Sequence, residues 1–121
     1  MLRTLTERER EVLAAMITHA KAHEEDVTAE RRRQWLAEVP GTRVSSVCTC
    51  GTCPSIELVD LDGHAPDTES ERTILSAGLL GATALVMLFI DGDRPSYLEL
   101  APFPEHEFAE FPPASELSFT G

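Results

Sequence analysis

Apolar positions change their period once along the chain, near residue 42. Before that point, Val12, Leu13, Met16, Ile17 and Ala20 recur at spacings of one, three and four, which gives a single apolar stripe on a 3.6-residue period. Thr6-Glu7-Arg8-Glu9 just ahead of it fits a capping box, with Thr6 accepting from the Glu9 amide and the Glu9 side chain reaching back, so a helix starts here. Arg8, Glu11 and Lys21 occupy its polar face. The polar run His23-Glu24-Glu25-Asp26 interrupts the stripe, and Asp26 or Thr28 can cap a second helix that carries Trp35 and Leu36 toward Val39 and stops at Pro40-Gly41.

From Arg43 onward the period shortens and β-branched residues take over. Strands are expected at Val44 to Cys48, Ser55 to Leu61, Thr73 to Leu80, Ala84 to Ile90 and Ser96 to Leu100, with the nearly all-apolar Ala84 to Ile90 at the centre. Asp62 to Arg72 reads as a polar surface loop, and Asp91-Gly92-Asp93-Arg94-Pro95 as a hairpin turn. In the tail, Pro102, Pro104, Pro112 and Pro113 interleave with Phe103, Phe108, Phe111 and Phe119, a pattern that predicts an extended segment lying on the sheet. No helix-length segment separates the strands. The expected fold class is therefore α+β: two N-terminal helices packed on one face of a four- to five-stranded antiparallel sheet. The 121 residues fit a single domain, with a helical part at 1–41, the sheet at 42–101 and the Pro/Phe-rich tail at 102–121.

Charge narrows the classes of partner. The net charge of −11 is unevenly distributed: through Arg43 eight basic residues balance eight acidic ones, whereas from Val44 thirteen acidic residues face two basic ones. Such a field repels nucleic-acid phosphates and anionic lipid and attracts a basic protein partner. No apolar stretch approaches membrane-spanning length, and Met1-Leu2-Arg3 leads into a polar segment without a signal-like apolar run, so a cytoplasmic location is expected. Either a monomer or a homodimer is compatible with these features.

The chemistry is concentrated in Cys48-Thr49-Cys50-Gly51-Thr52-Cys53-Pro54, which holds every cysteine of the chain at an expected hairpin tip. The bland reading is three small turn residues kept reduced by the cytosol, with no cofactor. A second reading is zinc, since a hairpin knuckle delivers thiolates to one ion, although a structural site takes four ligands and a second cysteine pair is missing. If Thr73 to Leu80 is a strand in a meander, His64 falls at the far end of the sheet and His106 returns to the cysteine end. Cys48, Cys50, Cys53 and His106 are then the candidate metal set. If that segment is loop, a fourth ligand would have to come from His19 or His23. A third reading is redox, from the two-residue spacing of Cys50 and Cys53, but Pro54 to Leu58 reads as a strand and lacks the helix N-terminus that activates such dithiols.

Other motifs carry less. Asp60-Leu61-Asp62-Gly63 matches the start of a calcium-binding loop but has glycine at the fourth position instead of the sixth, and Asp91-Gly92-Asp93 is turn chemistry. Leu5 to Leu13 resembles the opening of a LuxR-type helix-turn-helix. The chain then departs from it, lacking the glycine turn and recognition helix, so the likeness is accidental and no DNA binding is expected. Taken whole, the first helix, the cysteine-glycine hairpin ending in Pro54, Tyr97-Leu98-Glu99-Leu100 and the Phe-Pro tail resemble small uncharacterised bacterial proteins with a cysteine-rich CxCG-type turn. That resemblance spans Leu5 to Leu117 loosely and implies neither an activity nor site residues. The sequence thus points first to a small, acidic, non-enzymatic interaction module, and second to a zinc-binding or thiol-redox-responsive module acting through the cysteine turn.

Overall fold

The computed structural model describes residues 2–23, 26–67 and 71–119. Helix α1 (Glu7–His19) starts at its capping box, with the Thr6 hydroxyl accepting from the Glu9 amide at 3.1 Å and the Glu9 carboxylate accepting from the Thr6 amide at 2.9 Å. Both terminal nitrogens of Arg3 also donate to that carboxylate, at 2.8 and 2.9 Å. Because Arg3 lies in the short strand β1 (Arg3–Thr4), this bidentate pair ties the helix start to the sheet edge. Helix α2 (Ala29–Glu38) is capped by Thr28, not Asp26, and yields to a 3-10 turn at Val39–Gly41, where Pro40 supplies no amide.

The remaining strands are β2 (Lys21–Ala22), β3 (Arg43–Val47), β4 (Ile56–Val59), β5 (Arg72–Leu79), β6 (Ala84–Asp91), β7 (Arg94–Pro102) and β8 (Leu117–Ser118). All pair antiparallel in one sheet of order β1-β3-β4-β7-β6-β5-β2, with β8 also on β5. Among the described residues the fold is α+β with two helices and an antiparallel sheet, but the sheet has eight strands, not four to five. The five expected strands are β3 to β7. The three additional ones are two residues long, too short to show alternation, and exist only through pairing with β3 or β5. They also cap long strand edges that would otherwise offer unpaired amides.

The simple meander is corrected as well. In the sheet order β7 and β6 lie between β4 and β5, so β4 pairs with β7 instead of β5. Of the expected surface loop at 62–72, residues 68–70 lie outside the described residues, as do residues 24–25 of the polar run and residues 120–121 of the tail.

One core holds the layers together. Val12, Leu13, Met16 and Ile17 of α1 and Trp35 of α2 are buried with Leu75 and Ala77 of β5, Val86, Leu88 and Ile90 of β6, and Leu98 and Leu100 of β7. Alternate residues of β6, namely Leu85, Met87 and Phe89, face away and are half-buried. The tail contributes Phe111 and Leu117 to the core, while Phe119 packs at a tilt against His19 with ring centroids 5.3 Å apart. Among the described residues, no helix is long and apolar enough to cross a membrane.

Candidate metal centre

The cysteines sit in the connection between β3 and β4, whose pairing stops at Val47 and Ile56. One further bond, from the Cys48 amide to the Ser55 carbonyl at 2.8 Å, closes the neck of this loop. Gly51 at φ 84° takes the left-handed conformation that turns the chain between Cys50 and Cys53. Buried Ser55 anchors the loop to the sheet: its hydroxyl accepts from the Leu100 amide at 3.0 Å and donates to the Cys53 sulfur at 3.3 Å. A second anchor comes from the tail, where the Phe108 amide donates to the Thr52 carbonyl at 2.9 Å.

This folding brings the three sulfurs within 4.8 Å of one another. Cys50 is exposed, and Cys48 and Cys53 are half-buried. The Cys50 sulfur touches that of Cys53 at 3.3 Å, the Thr52 hydroxyl at 3.3 Å, and accepts from the Thr52 amide at 3.4 Å. Donation by the Thr52 hydroxyl, then by its amide and by the neighbouring thiols, stabilises the thiolate and pulls Cys50 down to about 6. Cys48 moves the other way: the Cys50 amide favours its thiolate, but contacts with the Cys50 and Cys53 thiols, burial and the Cys53 charge together push it up. One thiol of the cluster is thus prepared to ionise first, without the helix N-terminus that the redox reading found missing.

Of the sequence-derived set, the structure brings together Cys48, Cys50 and Cys53, and His106 lies outside that close group. His106 is exposed, in the segment after β7, two residues before the Phe108 that bonds to the cysteine loop. With Arg72–Leu79 a strand, His64 lies at the opposite end of the sheet, beyond β4. There its ring approaches Asp60 at 3.8 Å, and the ligand atoms of Asp60, Asp62 and His64 also cluster within 4.8 Å. The Asp60 carboxylate already accepts from the Asp62 and His64 amides, both at 2.9 Å, so this grouping is explained as a side-chain-closed turn.

Three residues around the sulfurs escaped the sequence reading. Thr52 and Ser55 donate to the thiols, and their closeness in sequence was the available signal. Tyr97 arrives from β7; its phenol is pushed up by burial first, then by charge on Cys48, Glu99 and Cys53, so it lies within electrostatic reach of the cluster. Only strand pairing reveals that neighbour. Beside the turn, a cleft of about 760 Å³ runs between Cys48, Cys53 and Pro54 on one side and the N-terminal turns of α1 on the other.

No protein-family model matches this chain, and no curated protein and no solved structure matches it.

Proposed function

We propose that the protein is a small acidic metal-binding module in which Cys48, Cys50 and Cys53 hold one thiophilic cation, with zinc the expected ion. One observation carries the reading: the sulfurs of all three cysteines of the chain converge within 4.8 Å at the end of a hairpin. Sulfurs around a tetrahedral zinc ion stand about 3.8 Å apart, given a zinc–sulfur bond of about 2.3 Å, so the cluster is close to a ligand set before any ion arrives. Zinc would supply neutralisation of clustered thiolates and a rigid link between β3, β4 and the tail. Thr52 and Ser55 would orient the sulfurs through the hydrogen bonds they already make. His106 is the proposed fourth ligand because its segment is tied to the same loop through Phe108 and Thr52. The interaction-module reading rests on the charge distribution alone, and an acidic surface around a metal-stiffened loop is compatible with it.

Native mass spectrometry of reduced protein purified without chelator tests the proposal. A zinc-sized increment per chain that disappears in Cys50→Ser supports it. A bare chain mass that persists after zinc addition removes it. Loss of the increment in His106→Ala would assign the fourth ligand, whereas retention would leave that position to water or another donor.

A further inference from the structure

Beyond metal binding, we propose that Cys50 and Cys53 form an exchangeable dithiol that reduces disulfides carried on positively charged molecules. The inference uses the same loop but does not depend on the metal.

The geometry separates the roles of the sulfurs. Cys50 is exposed and its sulfur is the one contacted by the Thr52 hydroxyl and amide, so it is the sulfur an incoming disulfide meets. Cys53 is half-buried, receives the Ser55 hydroxyl and already touches Cys50 at 3.3 Å, which places it to attack second. Closing that contact requires only a small movement within a loop whose turn is set by Gly51.

The reaction balances without an outside cofactor. The Cys50 thiolate attacks one sulfur of R–S–S–R, forming a Cys50–S–S–R bond and releasing one thiolate, which takes a proton from solvent. Cys53 then gives its proton to solvent and attacks the Cys50 sulfur, forming the Cys50–Cys53 bond and releasing the second thiolate. The protein dithiol is oxidised by two electrons and the partner disulfide is reduced to two thiols. Were zinc held by the three sulfurs, forming the Cys50–Cys53 bond would withdraw two of its sulfur ligands.

Charge selects the substrate class. The cleft beside Cys48 and Cys53 carries Glu7, Glu9, Glu11 and Glu110 against Arg3 and Arg8. Arg3 is engaged by Glu9, and Arg8 by Glu110 and the Phe111 carbonyl. Glu7 and Glu11 are exposed. Cys50 itself does not line this cleft, but the exposed carboxylates beside its two neighbouring sulfurs and the net charge of −11 make the approach of an anionic disulfide repulsive and that of a cationic one attractive.

The test uses the full chain, reduced and stripped of metal, mixed with cystamine, with oxidised glutathione, or with a lysine-flanked disulfide peptide. Peptide mass mapping should find a Cys50–Cys53 bond, formed about tenfold faster with cystamine than with oxidised glutathione at low salt, and the gap should narrow at high salt. Faster reaction with the peptide than with cystamine would make a basic polypeptide the source of the disulfide; the reverse would make it a small amine. Cys53→Ser should stall as a mixed disulfide on Cys50. Adducts spread over Cys48 with no Cys50–Cys53 bond, or equal rates for cationic and anionic reagents, would overturn the proposal. Zinc titration of the same sample keeps the two readings apart: exchange without zinc binding removes only the metal proposal, and zinc binding without exchange removes only this one.

Discussion

Two hairpins at opposite ends of the sheet use polar groups in opposite ways. The β6–β7 hairpin closes with a two-residue turn, Gly92 and Asp93, both left-handed at φ 56° and 60°. Just inside it, Asp91 is fully buried and both its carboxylate oxygens are engaged: Arg72 donates at 2.7 and 3.1 Å and the Ser96 hydroxyl at 2.6 Å. Ser96 is the extra residue of a bulge opposite Phe89 and Ile90, which also explains how Pro95, lacking an amide, is accommodated in a strand. The β3–β4 hairpin instead ends in an open loop whose polar groups converge on three sulfurs near the surface. In the first, polar groups satisfy one another and fix the register. In the second, they leave acceptor capacity unspent on a reactive atom, which is the condition for binding or exchange.

Substitutions should separate the two ends. The largest effect is expected at Asp91: Asp91→Ala removes the centre of a buried network while Arg72 can still reach water, and should destabilise the fold by about 2–3 kcal/mol in urea unfolding. Acid titration adds a second readout on the same group. Burial alone would raise the Asp91 carboxyl, but Arg72 and Ser96 hold it below the usual carboxylate range. Its stabilisation is therefore complete above the unfolded value of about 3.9 and is lost as pH falls through the lower folded value. Asp91→Asn should flatten that acid limb; an unchanged limb would place the acid sensitivity elsewhere, for instance at the Arg3–Glu9 pair.

Next in size, Gly92→Ala forces a side chain into the left-handed region and should cost about 1–2 kcal/mol, read as a lower urea midpoint at constant slope. Ser55→Ala breaks the link between the cysteine loop and Leu100, with an expected loss of about 1 kcal/mol in metal-free protein. It should also weaken zinc binding, whereas Gly92→Ala should not. The smallest effect belongs to the cysteines: changing Cys48, Cys50 and Cys53 together to Ser should move metal-free stability by no more than about 0.5 kcal/mol, yet abolish any rise in melting temperature on adding zinc. A large loss of metal-free stability in that variant would make the loop structural and erase the contrast between the two hairpins.

Local signals made much of this legible in advance. The Thr6 capping box, the stripe from Val12 to Ala20 and the five main strands depend on neighbours within a few residues, and all appear where periodicity places them. So does the convergence of the cysteines, because a six-residue turn has little freedom to separate them. The sheet order was decided elsewhere. That β4 pairs with β7 while β5 lies beyond β6 is a choice between strands far apart in the chain, which no local spacing encodes. The two-residue strands, the approach of Tyr97 to the sulfurs, the burial of Asp91 and the tie from Phe108 to Thr52 are likewise long-range. Each depends on free energy gained only when distant segments meet, so no period in the sequence announces it.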